Sequence, residues 1–129
     1  MDRNDVKDML VSAKEGGYAL PAINISNLDT AIAAFEGFEE AKSPGIVQIS
    51  IGSAKQASRS GDPVEGSIIL GRMLNQLKLQ YDVPVIIHTD HFHYQALDTW
   101  LVPLLHRLYD IKKQTGEKIF DSFMFDGSM

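Results

Sequence analysis

Val83-Pro84-Val85-Ile86-Ile87-His88-Thr89-Asp90-His91-Phe92-His93 is the stretch on which the reading of the fold turns. The run Val83 to Ile87 is apolar without alternation, which marks a strand buried on both faces, as in a parallel sheet covered by helices. It passes directly into a segment holding three of the four histidines and a carboxylate. In parallel α/β folds, ligands bind at the C-terminal edge of the strands, so polar residues placed there are candidates for chemistry.

Reading outward, the same unit repeats. Downstream, Leu97, Trp100, Leu101, Leu104, Leu105, Leu108 and Ile111 form a helical stripe. Pro103 either kinks that helix or marks where a short leading turn gives way to it, and Gly116 ends it. A last strand, Lys118 to Phe125, leads to Asp126-Gly127-Ser128. Upstream, Leu70, Met73, Leu74 and Leu77 share a helix face, preceded by a loop from Gly52 to Pro63 and a strand from Gly45 to Ile51 that carries Gln48 and Ser50. Before these, Asn27 caps a helix carrying Leu28, Ala31, Ile32, Phe35 and Phe38, which closes before Ser43-Pro44. A strand from Tyr18 to Ile23 ends at Asn24, its Pro21 suiting a sheet edge, and a first helix runs from Asn4 to about Glu15. Four strands separated by helices without hairpin signals predict parallel pairing through right-handed crossovers, an α/β class.

Composition bounds the function. The 129 residues suit one domain, and 44 % hydrophobic with 22 % charged residues is ordinary for a globular chain. With no cysteine, any metal site must use His, Asp, Glu and main-chain oxygens. The net charge of −5, with no compensating basic cluster, argues against nucleic acid as a partner. No apolar run reaches the roughly 20 residues a membrane span needs, and the polar start Met1-Asp2-Arg3-Asn4-Asp5 does not open a secretory signal, so the expected location is cytoplasmic. The glycines form neither a dinucleotide fingerprint nor a Walker loop.

Asn24, Ser50, Asp90-His91 and Asp126 thus stand at or near the ends of four successive strands. Neutral imidazole ligates zinc, and a carboxylate beside a metal is placed to move protons. Each residue also has a plainer reading. His88 fits a hydrogen-bonded core position and His93 a surface one; Asn24 and Ser50 fit turns or caps. Asp126, leaving the apolar Phe123-Met124-Phe125, needs a partner, either a metal or the cap of a following helix.

Tyr18-Ala19-Leu20-Pro21-Ala22-Ile23-Asn24, Ser43-Pro44-Gly45-Ile46-Val47-Gln48-Ile49-Ser50, Val83-Pro84-Val85-Ile86-Ile87-His88-Thr89-Asp90-His91 and Ser122-Phe123-Met124-Phe125-Asp126-Gly127-Ser128 together resemble the first four strands of class II fructose-bisphosphate aldolases. Thr89-Asp90-His91 is the most specific element. The resemblance implies that residues 1–129 are the N-terminal half, about four βα units, of a (β/α)8 TIM barrel, truncated after the fourth strand. It implies a glycolytic, metal-dependent lyase that cleaves fructose 1,6-bisphosphate to dihydroxyacetone phosphate and glyceraldehyde 3-phosphate. Asp90 is then the general acid/base, His91 a ligand of the catalytic Zn2+, and Asp126 part of a second or alternative divalent-metal position. Ser50 contacts substrate, and Asn24 and Gln48 line the pocket.

The final segment looks more like the tagatose-bisphosphate branch, whereas Trp100 looks like the fructose-bisphosphate branch. Ser50-Ile51-Gly52-Ser53 departs from the family's Ser-Asn-Gly-Gly, and Phe92-His93-Tyr94-Gln95 from Cys-Ala-Lys-Lys, which bears on sugar specificity. The family's other zinc histidines, a metal-binding glutamate and its phosphate loop lie beyond the fourth strand. The resemblance therefore implies a fragment inactive alone, prone to self-association or needing a complementary half, from a family that forms homo-oligomers. An inactive half-barrel remnant and a subunit completed by another chain are the non-enzyme alternatives. Independently of the family, a doubly wound module could hold a cation through Asp90 and Asp126; a reversal in strand order would mark it.

Overall fold

The computed structural model describes residues 3–128. Four strands, β1 (Ala22–Asn24), β2 (Gly45–Ile49), β3 (Val85–Thr89) and β4 (Ser122–Phe123), form one parallel sheet in the order β1-β2-β3-β4. That order has no reversal, so it is the order of a barrel segment and excludes the doubly wound alternative. The helices are α1 (Arg3–Gly16), α2 (Leu28–Glu40), α3 (Ile51–Ala57), α4 (Pro63–Lys78) and α5 (Val102–Thr115).

Local chemistry sets most of the boundaries. Asn27 accepts from the Thr30 backbone N–H while Thr30 answers with its hydroxyl at the Asn27 N–H, a reciprocal cap that satisfies two orphan donors at the start of α2. Asp62 accepts from Val64 N at the start of α4, with Pro63 in the first turn, where a missing N–H costs nothing. Pro103 takes the same place in α5. The chain reaches it through a 3-10 turn (Tyr94–Ala96) and a π-helical turn (Leu97–Leu101), so the proline marks the handover to the main helix. Gly116 ends α5 in the left-handed region at φ 76°, where a Cβ would be strained.

Several expected boundaries are corrected. The first strand is only Ala22–Asn24, because ladder pairing with β2 begins after Pro21, whose carbonyl accepts from Ile46 N. β2 ends at Ile49 instead of Ile51, and the expected loop from Gly52 opens as helix α3: the Ser50 hydroxyl accepts from Ser53 N and Ala54 is buried. A composition of Ser, Gly and Lys hid a helix held by its Ser50 cap and by packing of Ile51, Ala54 and Ala57 on the core. β3 is shifted two residues along, to Val85–Thr89.

β4 is two residues long where an eight-residue run was expected, because side chains replace the ladder on both sides of it. Asp121 receives the Ile87 N–H on its carboxylate, at 2.8 Å, while its own N–H goes to Ile87 O. Beyond the strand, Met124 N donates to the Thr89 hydroxyl at 3.1 Å. Lys78 and Lys118 flank the Asp121 carboxylate at 3.5 and 3.1 Å, so its charge is paired.

The two sheet faces differ. Gly45, Val47 and Ile49 of β2 and Val85, Ile87 and Thr89 of β3 are buried, in a core shared with Phe35 and Phe38 of α2, Leu70, Leu74 and Leu77 of α4, and Trp100. Each large apolar side chain so buried contributes roughly 1.5–3 kcal/mol. On the other face the register aligns Asn24, Gln48, His88 and Ser122 in one row across all four strands. Among the described residues no helix is long and apolar enough to cross a membrane.

Candidate active site

The sheet ladder continues one residue past the strands, with Ile25 N donating to Gln48 O and Asp90 N to Ile49 O. Asn24 and Asp90 are thereby delivered to the same edge, the C-terminal one. β1 and β3 are not neighbours; they lie on either side of β2, and at about 4.8 Å per strand their backbones are about 9.6 Å apart. The Asn24 side chain crosses that gap above the end of β2: its Nδ2 donates to Asp90 Oδ2 at 2.7 Å. Gln48 lies opposite Asn24 in the register and its Nε2 donates to Asn24 Oδ1, also at 2.7 Å. The other carboxylate oxygen of Asp90 accepts from the His91 N–H at 2.8 Å.

His91 turns outward from Asp90 and is largely exposed, its Nδ1 3.3 Å from Asp126 Oδ2. Asp126 is held by its own turn, since its Oδ1 accepts both the N–H and the hydroxyl of Ser128. Those two bonds, with smaller contributions from His91 opposing slight desolvation, hold the carboxyl below its ordinary range. A tetrahedral metal bonded at about 2.1 Å places its donors about 3.4 Å apart, so the His91–Asp126 spacing suits two corners of such a site. Among the described residues no three His, Asp or Glu groups converge on a common point. The described residues thus bring two groups of metal-ligating type, His91 and Asp126, together at this edge.

The remaining candidates fall as follows. Ser50 sits at the same edge, but its hydroxyl is engaged in capping α3 and in a 3.1 Å bond to the Ser53 hydroxyl. His88 is half-buried, with Nδ1 2.7 Å from the Ser122 hydroxyl. Burial lowers its pKa below the ordinary histidine value, against the raising influence of Ser122 and Asp90. His93 is a surface residue stacked near Tyr94. Ser122 and Ser128 were not singled out from sequence. Strand alternation on a parallel β3–β4 pair would have found Ser122 opposite His88, whereas Ser128 offers only an Asp-x-Ser turn pattern.

A large groove lies away from this edge. It encloses about 1240 Å³ between α1 and α5 against β4, with Leu10, Leu105, Leu108, Tyr109 and Phe123 among its walls.

The sequence matches the family described as fructose-bisphosphate aldolase class-II over residues 4–129. Similar curated proteins include the fructose-bisphosphate aldolases of Mycobacterium tuberculosis, 39 % identical over 123 residues, and Corynebacterium glutamicum, 40 % identical over 124 residues. Each alignment takes in 94 % of this chain and 36 % of the relative, so the chain spans about a third of their length. The crystal structure of fructose-bisphosphate aldolase from Campylobacter jejuni superposes with a TM-score of 0.87 at 32 % identity, covering 99 % of this chain and 38 % of that one.

Proposed function

The chain belongs to the class II fructose-bisphosphate aldolase family, and from that premise we infer that it supplies the first four βα units, and one side of the active site, of a metal-dependent aldolase. The substrate is a phosphorylated ketose, fructose 1,6-bisphosphate, cleaved to dihydroxyacetone phosphate and glyceraldehyde 3-phosphate in cytoplasmic glycolysis. Tagatose 1,6-bisphosphate is the competing substrate.

The observation that carries this reading is the grip on Asp90: a carboxylate at a strand end, fixed through both oxygens by Asn24 Nδ2 and the His91 N–H, beside a His–Asp pair at metal-donor spacing. Asp90 takes the proton of the hydroxyl on the carbon next to the breaking bond. That carbon becomes the aldehyde as the carbon–carbon bond breaks, and the electron pair passes to the ketone fragment as an enediolate, which a proton then quenches. His91 is the zinc ligand within this chain, and Asp126 serves a second or alternative divalent position. A bound divalent metal supplies Lewis-acid stabilisation of the charge on the ketone oxygen. Asn24 and Gln48 line the pocket and Ser50 stands at its rim for the substrate.

With a single histidine ligand and Asp126, residues 1–129 alone bind zinc weakly and have no useful activity. They associate with themselves or with a complementary half, as uncovered strand edges and apolar helix faces favour.

A coupled assay for fructose 1,6-bisphosphate cleavage with added zinc tests this on the chain alone and mixed with the remaining part of a related barrel. Activity only in the mixture, lost at least a hundredfold on Asp90→Ala, is expected. Activity of the chain alone would overturn the incomplete-site reading. Silence in both would favour an inactive remnant, and faster turnover of tagatose 1,6-bisphosphate would reassign the substrate.

A further inference from the structure

The geometry points to Asn24 and Gln48 as a positioning relay for Asp90, a role that deepens the aldolase reading and, for its chemical consequence, rests on it. The polarity of the relay follows from donor and acceptor inventory. A carboxylate only accepts, so it requires the NH2 end of the Asn24 amide; the Asn24 oxygen is thereby turned to Gln48, which must answer with its own NH2. The distances fit that single direction, Gln48 Nε2 to Asn24 Oδ1 and Asn24 Nδ2 to Asp90 Oδ2, both 2.7 Å.

The two amides differ in what holds them. Gln48 is in the paired part of β2, half-buried in the row with His88. Asn24 is exposed at the end of an edge strand and reaches across β2 to its target. An exposed amide on a broad terminal torsion does not choose its orientation alone. Asp90 sets its polarity, and Gln48, held in the paired part of β2, restrains it in place against Asp90 Oδ2, while the His91 N–H fixes Oδ1. Asp90 touches the reacting proton in the proposed reaction; Gln48 acts on it only through Asn24.

The relay makes a prediction that two independent pocket-lining residues do not: the effect of Gln48 on Asp90 must vanish when Asn24 is absent. The first experiment uses the 129-residue chain without substrate or metal. The side-chain carboxyl carbon-13 resonance of Asp90 is followed in the parent, Gln48→Ala, Asn24→Ala and the double variant, with the Ile49 and Ile87 amide resonances reporting that the sheet is intact. A relay moves the Asp90 resonance on Gln48→Ala in the parent and leaves it unmoved on the same change in the Asn24→Ala background. An equal shift in both backgrounds, or none in the parent, overturns it.

Gln48→Glu provides a second route if an alanine variant unfolds. It keeps the chain length but presents an acceptor to the Asn24 oxygen, so two carboxylates compete for the one Asn24 NH2 group and the Asp90 resonance moves further than with alanine. An unmoved resonance there also overturns the relay.

In the reconstituted barrel, Gln48→Ala is expected to lower kcat about tenfold with KM changed less than about twofold, since misplacing a reacting group costs rate without costing uniform binding. A rise in KM at unchanged kcat would instead make Gln48 a substrate contact. Failure of reconstitution would tell against the aldolase reading, and the resonance measurement would still decide the relay.

Discussion

His88 shows how a residue beside the candidate site is taken up by a structural contact. It shares the run His88-Thr89-Asp90-His91 with the site, yet its ring lies half-buried in the polar row and is tied to Ser122. Burial favours the neutral ring, so its folded pKa is below the ordinary 6.5. The folded state therefore resists a proton that the unfolded chain takes up readily. The stability tied to a neutral His88 is complete above the unfolded value and is lost as pH falls through it toward the lower folded one. Denaturant unfolding at pH 7 and pH 5 is expected to show the parent losing more stability than His88→Gln over that interval; equal losses would mean that the ring titrates normally.

The positions of Asn24 and Asp90 were legible because a polar residue at the end of an apolar strand is a one-dimensional pattern, whereas Asp126 lies beyond the end of β4, in a turn closed by Ser128. The partners of these residues were not legible. The bond from Asn24 to Asp90 spans 66 positions and depends on how the sheet brings β1 over the end of β2 to β3. No spacing in the chain encodes that crossing.

At the scale of elements, helix stripes and caps were readable because periodicity and capping chemistry are local. Asn27, Pro103 and Gly116 mark the boundaries their residue types favour. Elements made by tertiary contact were not readable, and α3 is the clearest case. Its polar composition reads as loop, but Ala54 is fully buried and Gly66 of α4 packs directly on the Ala54 carbonyl, leaving no space for a Cβ. Gly66→Ala is expected to force α3 and α4 apart and cost about 1–3 kcal/mol by overpacking, measured as a lower midpoint in chemical denaturation.

The contact between α4 and the turn before α5 is polar at its centre. The buried Trp100 indole N–H donates to the Ser67 hydroxyl at 2.9 Å, and that hydroxyl donates to Pro63 O at 2.7 Å. Ser67→Ala leaves the indole donor buried without an acceptor, an expected loss of about 1–3 kcal/mol, whereas Ser67→Thr retains a hydroxyl and is expected to lose less. Equal losses in the two variants would show that packing volume, and not the hydrogen bond, sets the cost.

On the scale of the whole molecule, the sequential sheet has β1 at one edge and β4 at the other, and the three residues of β1 are exposed. Beside β4 the large groove exposes Leu10 at 50 %, Leu105 at 39 % and Tyr109 at 66 %. Apolar surface of this kind is costly in water and drives association, so the chain alone is expected to show concentration-dependent association in sedimentation velocity. Two surfaces compete as the cause, the open strand edges and the groove, and they respond differently to substitution. Leu105→Glu with Tyr109→Lys changes groove residues already exposed, so stability should change by less than about 0.5 kcal/mol. If the groove drives association, the double variant stays monomeric at concentrations where the parent associates. If the edges drive it, the double variant associates like the parent, and a proline placed at Ala22 on β1, whose N–H points away from β2, removes a backbone donor from the open edge and is the change that suppresses it.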